Sequence, residues 1–316
     1  MKRVTLALLA IAALAGCSKE TGDTSGRIEG AATFTSSIVT RVTADEWESG
    51  DQVGIFVTDA EGDDLYNNTN SVDIYKYNAL YNVDEATGDF SADTALDVHY
   101  YPVDGTALNF YAYYPYCSTL DVADNLYAVD ITEQSTPKLI DLMEATTKED
   151  LTTYTKDDYS VEFTFNRKMS KITFEIVAGT GMDLTQITSI ELTGVYTTAN
   201  YELANNTFSS FGGETTGFAP YTEVAANTYS AILIPTHSAD GVDTIAGAYT
   251  SGEITFHTTY GVESNDTFTW ALDSETFNMG KNHIYTIKVN RTAAEFETNV
   301  INDWVDDEDT NVKDAE

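Results

Sequence analysis

Ser160-Val161-Glu162-Phe163-Thr164-Phe165, then Asn166-Arg167-Lys168, then Lys171-Ile172-Thr173-Phe174-Glu175-Ile176-Val177: this stretch decides the fold class. Its two flanks are short runs rich in β-branched and aromatic residues, the composition of strands, and adjacent basic residues break them apart. Runs of the same kind lie on both sides. Upstream are Gln52 to Val57 and Leu108 to Tyr114; downstream are Ser189 to Val195, Tyr229 to Ile234, Glu253 to His257 and His283 to Val289. A weaker run, Ala31 to Ile38, precedes them all, with Phe34 and Ile38 as its large apolar residues. Turn signals such as Asp104-Gly105, Gly212-Gly213 and Gly280-Lys281-Asn282 punctuate the series. Helical periodicity is nearly absent, with room for one short turn between Leu139 and Lys148. Many short strands over 316 residues predict an all-β chain of two β-sandwiches.

Composition agrees and removes several functions. The chain is 42% apolar and 12% aromatic, too much for an acidic disordered tail, and carries 16 Lys+Arg against 51 Asp+Glu. A formal charge of −35 opposes binding to nucleic acid or anionic lipid. The chain holds no Gly-x-Ser-x-Gly elbow, His-Glu-x-x-His, P-loop or dinucleotide glycine pattern. His99, His237, His257 and His283 are widely spaced in sequence. No enzyme activity, cofactor or metal is expected. The acidic runs Asp59 to Asp64 and Asp303 to Asp309 supply oxygen ligands, yet the first lacks the Gly and Glu of a calcium loop and both read as solvated charge.

The N-terminus sets the address. Met1-Lys2-Arg3 and the apolar run Val4 to Leu14 form a signal sequence too short to span a bilayer. Leu14-Ala15-Gly16-Cys17 resembles a bacterial lipobox, in which Cys17 is acylated and becomes the mature N-terminus. Processing lowers the basic residues from 16 to 14 against 51 acids, a charge of −37. Ser18 to Gly30 reads as a polar tether. Of the remaining residues, Cys117 is the single thiol and reads as a packed small residue, and Arg27, Arg41, Arg167 and Arg291 are the sole arginines. The aromatic run Tyr100 to Tyr116 offers sugar-stacking rings, with Tyr111, Tyr113 and Tyr114 as candidate glycan contacts.

Several blocks resemble the fimbrillin family of pilin-like lipoproteins from Bacteroidales. They are the lipobox, Thr40-Arg41-Val42-Thr43, Trp47 to Phe56 (WESGDQVGIF), Tyr101-Pro102, Phe110 to Pro115, Asp141 to Ala145, Phe163 to Ile172, and Val300-Ile301-Asn302-Asp303-Trp304. The resemblance implies two tandem transthyretin-like β-sandwich domains and a structural subunit or adhesin of a type V fimbria. It implies a lipid-anchored precursor on the outer membrane, cut by an Arg-specific protease and assembled with other fimbrial subunits by strand exchange. Carried onto this chain, cleavage falls after Arg41, leaving Val42 first, and the donor strand lies in Phe296 to Val305 with Phe296, Val300, Ile301 and Trp304. The expected divisions are a signal peptide at 1–16, a tether with a removable strand at 17–41, and sandwiches at 42–157 and 158–316. The rival reading is a non-polymerising surface lipoprotein that binds glycans.

Overall fold

The computed structural model describes residues 30–38, 47–58, 77–121, 124–147, 154–203, 205, 207–214, 217–223, 225–245, 252–259, 266–272, 275–290 and 293–303. Seven of its strands close into a barrel: β1 (Thr33–Ile38), β2 (Gln52–Thr58), β3 (Ala79–Val83), β4 (Asp89–Ala92), β5 (Asn109–Tyr114), β7 (Met143–Thr146) and β8 (Ser160–Arg167). Their order around the barrel is β1-β4-β3-β2-β5-β7-β8. β6 (Leu126–Asp130) lies between β5 and β7 in sequence but belongs elsewhere. Among the described residues only two helical turns occur, Pro137–Leu139 and Leu184–Gln186, and both are 3-10.

The C-terminal half adds β9 (Ser170–Ala178), β10 (Ile187–Thr193), β11 (Thr198–Glu202), β12 (Thr207–Gly212), β13 (Tyr221–Thr222) and β14 (Thr228–Leu233). It ends with β15 (Glu253–Thr258), β16 (Asp266–Ala271), β17 (Lys281–Asn290) and β18 (Ala293–Asp303). These form a five-stranded sheet, β13-β14-β9-β17-β18, and two three-stranded sheets, β10-β15-β16 and β12-β11-β6. β6 is therefore lent by the N-terminal half to a C-terminal sheet, pairing with β11 from Thr198↔Asp130 to Glu202↔Leu126. Gln134 secures the loan: its amide donates to Ile232 O at 3.1 Å and accepts from Ile232 N at 2.9 Å.

Local pattern explains each element. In β8 burial alternates strictly, with Val161, Phe163 and Phe165 inside and Glu162, Thr164 and Asn166 outside. That is a sheet with one wet face. β5 is buried at all six positions. Phe110, Ala112 and Tyr114 face the barrel core, whereas Tyr111 and Tyr113 belong to the core of the C-terminal half. Both faces of β5 are covered, so it reads as an unbroken apolar run.

The boundary expected between residues 157 and 158 lies just ahead of β8. β8 closes the barrel, and the chain crosses between halves at Lys168-Met169. Acidic residues before β8 look like a linker, but the strand after them has its hydrogen-bond partners in β1 and β7.

Candidate functional site

β1 closes the barrel between β4 and β8. It runs parallel to β8 through six registered pairs, Thr33↔Ser160 to Ile38↔Phe165, and antiparallel to β4 through only two, Phe34↔Phe90 and Thr35↔Asp89. Its anchor is Phe34, 1% exposed, with ring centroids 5.2 Å from Tyr81, 5.0 Å from Phe110 and 5.7 Å from Phe163. Burial of such a ring stabilises by about 1.5–3 kcal/mol. Near the strand's far end the Ser36 N–H donates to Gly88 O at 3.0 Å. Gly88 has a φ of +73°, and a Cβ there would meet the Ser36 carbonyl at 2.7 Å, so the turn after β3 needs glycine to lie against β1. Trp47, the first described residue after Arg41, donates its indole N–H to Ser36 Oγ at 2.7 Å. Beyond Phe34↔Phe90 the β1–β4 seam opens into a groove of about 770 Å³, lined in part by Thr33, Asp89, Ala92 and Val98.

Arg41 and Val42 lie outside the described residues, as do Cys17, Arg27, Arg291 and Trp304. Arg167 is described. Its side chain is 1% exposed and its Nε donates to Asp141 Oδ2 at 3.0 Å, so a protease acting on the folded chain does not reach it. The neighbouring Lys168 Nζ sits 2.5 Å from Glu144 Oε1, and Glu144 Oε2 accepts from Tyr201 at 2.9 Å and from Tyr111. Burial, then the Glu144 charge, pushes the Tyr201 hydroxyl well above its ordinary range. This cluster ties β7 to β11 across the two halves.

The structure withdraws the three tyrosines from glycan binding. Tyr111, Tyr113 and Tyr114 are 2%, 0% and 2% exposed, with their rings inside the two cores. Tyr113 donates to Asn78 Oδ1 at 2.6 Å and Tyr114 to Asp51 Oδ1 at 3.0 Å, as buried phenols require. Sequence alone could not separate a wet aromatic face from a strand covered on both sides.

β18 is the edge of the five-stranded sheet and, among the described residues, pairs only with β17, from Asn290↔Ala293 to Lys281↔Asp303. The register slips between Thr286 and Ile287, so Glu297 is an extra residue, a β-bulge. The slip brings Phe296 and Ile301, five residues apart in sequence, into one register phase. Phe296 is registered with Ile287 and Ile301 with His283, both buried positions of β17, whereas Val300 is registered with the half-buried Ile284. Val300 and Ile301 are 50% and 47% exposed.

His283 is fully buried beneath this edge, and its Nε2 accepts the Asn278 N–H at 2.9 Å. Burial, with His237 nearby as the second cause, pushes its pKa down to about 4. The spacing of the histidines in sequence hid this neighbourhood. Cys117 is half-buried, with Sγ 3.4 Å from Thr119 Oγ1. Among the described residues no three His, Cys, Asp or Glu side chains are grouped as metal ligands, and no helix is long and apolar enough to cross a membrane. The acidic run Asp59 to Asp64 lies outside the described residues.

A fimbrillin-like family model matches residues 40–304. The chain belongs to the fimbrillin-like family. Residues 1–18 of this fimbrillin-like protein also match a prokaryotic membrane lipoprotein lipid attachment site. It is 31% identical to the candidate fimbrium subunit Fim1C of Bacteroides uniformis, over 96% of both chains. A crystal structure of a candidate cell adhesion protein from Bacteroides uniformis is similar, with 26% identity, a TM-score of 0.67, and coverage of 88% of this chain and 100% of the other. A Bacteroides ovatus structure shares the fold, with 20% identity, a TM-score of 0.65, and coverage of 88% and 99%. The family is one of fimbrial and adhesion subunits, not of enzymes, and the attachment signal marks a lipoprotein.

Proposed function

We propose that this fimbrillin-like chain is a subunit or adhesin of a cell-surface fimbria that assembles by exchanging its first strand. The precursor reaches the outer surface anchored through Cys17. An Arg-specific protease cuts after Arg41, and Val42 becomes the N-terminus. β1 then leaves with the tether, and the slot between β4 and β8 takes β18 of a neighbouring subunit, of the same or a related sequence. The donor strand carries Phe296, Val300, Ile301 and Trp304. In this reading the two separate cores are two tandem transthyretin-like β-sandwich domains, the second starting after β8.

The carrying observation is the placement of β1. It closes the barrel, and Arg41 follows its last residue, Ile38, by three positions. A cut there leaves β1 joined only to the tether. Its departure exposes six unpaired positions on β8 and the pocket of Phe34, which an extended strand satisfies by backbone pairing and side-chain insertion. Head-to-tail insertion whose rotation does not close into a ring propagates as a filament.

The test is limited digestion of the unlipidated precursor, residues 18 to 316, with an Arg-specific protease. Mass spectrometry should find a single cut after Arg41, and an unboiled gel should show a ladder. Trp47 fluorescence should change as its indole loses Ser36. Resistance at Arg41, or a cut that leaves only monomers, overturns the proposal.

A further inference from the structure

The barrel has two unlike ends, and strand directions identify them. β1 runs antiparallel to β4 and parallel to β8, and β3, β5 and β8 all begin at the end where β1 begins. The chain leaves the barrel for the C-terminal half at the opposite end, through Arg167. The first end carries an unusual surface. Leu96, Tyr100 and Val103 are 81%, 43% and 96% exposed on the loop from Asp93 to Thr106, and Tyr77, just ahead of β3, is 39% exposed. Isolated exposed apolar residues are ordinary, but four at one end of one barrel call for a cover.

The N-terminal chain emerges at this same end. Tyr101 N–H donates to Gly30 O at 2.9 Å, Ala32 N–H donates to His99 O at 2.9 Å, and Ala31 bridges Tyr100 in antiparallel sense. Val103 therefore lies two residues past the pairing with Gly30, on the side toward which the chain runs back to Cys17. Only twelve residues, Ser18 to Glu29, separate that pairing from the lipid attachment position. Fully extended, they span about 40 Å at ~3.4 Å each, so the lipid holds this end of the barrel close to the bilayer.

We propose that this end is a membrane-docking face on which the lipidated precursor stands, with Leu96, Tyr100 and Val103 inserted at the lipid interface. Tyrosine suits that boundary, with an apolar ring and a polar tip. Exposed charge selects the lipid. Among the described residues, exposed Asp93, Asp104, Asp157 and Asp158 outnumber Lys156 on the loops of this end, so the surface fits a zwitterionic headgroup and not an anionic one. The C-terminal half, with β18, then projects away from the membrane toward neighbouring subunits. The inference rests on acylation of Cys17.

The test uses the full acylated chain in phosphatidylcholine vesicles, with Cys117→Ser and one new thiol carrying an environment-sensitive dye. Val103→Cys reports the docking face, and Val242→Cys, a 75% exposed position in the C-terminal half, is the control. Quenchers on the acyl chains should quench the first dye several-fold more than the second. Adding Leu96→Asp, or replacing part of the lipid with phosphatidylglycerol, should reduce that quenching. Equal quenching at both positions, or none, overturns the docking face while leaving the lipoprotein reading intact. Absence of the acyl mass on Cys17 overturns both.

Discussion

β1 and β18 are the first and last strands of the described chain, and they are held in opposite ways. β1 lies between two neighbours, six pairs on one side and two on the other, with one aromatic anchor 1% exposed. β18 lies at an edge, with ten pairs to a single neighbour and two adjacent apolar residues about half exposed. The closing strand is thus short, deeply plugged and weakly paired on one flank. The edge strand is long and well paired, and among the described residues no strand is registered on its other flank. The proposed strand exchange rests on these two strands, and each can be attacked separately.

The largest effect belongs to Phe34. Phe34→Ala should destabilise the uncut precursor by about 3–5 kcal/mol in urea unfolding, the range for an emptied aromatic site. The same substitution should leave the assembled, cut protein unchanged if β1 leaves on maturation, as proposed. An equal loss in both forms would mean that β1 stays in the barrel after maturation.

The next effect concerns β18 and depends on pH. Unfolded, His283 takes a proton near pH 6.5; folded, it does so only near pH 4. Between these values the unfolded state binds more protons, so stability is intact above pH 6.5 and falls as pH drops toward 4. The loss is on the order of 3 kcal/mol. His283→Gln keeps an acceptor for the Asn278 N–H and should remove this part of the slope, measured as the difference between the two urea midpoints across pH. Hydrogen exchange should quicken in β18 before β1, since His283 is registered beneath Ile301. Simultaneous quickening would show that the two ends unfold together.

How much of this was legible follows from what each strand touches. β2, β8, β9 and β17 were readable because runs of β-branched and aromatic residues stand out between turn signals. β1 was readable as a weak strand, but its parallel pairing with β8, about 125 residues away in sequence, leaves no local trace. β5 misled because burial of both faces makes a core strand resemble an aromatic surface. β6 was invisible: Leu126 to Asp130 carries little pattern and is placed by β11 and by Gln134. The bulge at Glu297 escaped as well, since two apolar residues five apart look out of phase until an extra residue is inserted between them.

The smallest effect on the precursor tests that bulge. Val300→Asp and Ile301→Asp change half-exposed positions of an edge strand, and each should shift the stability of the uncut monomer by no more than about 1 kcal/mol. Their effects on assembly should differ sharply. Successive residues of a strand point to opposite faces, so only one of these two can enter a neighbour's groove. Ile301 shares its register phase with Phe296, opposite buried positions of β17, whereas Val300 has the other phase. Ile301→Asp should therefore abolish the ladder on an unboiled gel, and Val300→Asp should leave it. The reverse result would mean that the strand drops its bulge when it moves into the neighbouring barrel, because removing one residue of offset exchanges the two faces. Two intact ladders would remove β18 as the donor, and β1 would then leave a slot that another segment must fill.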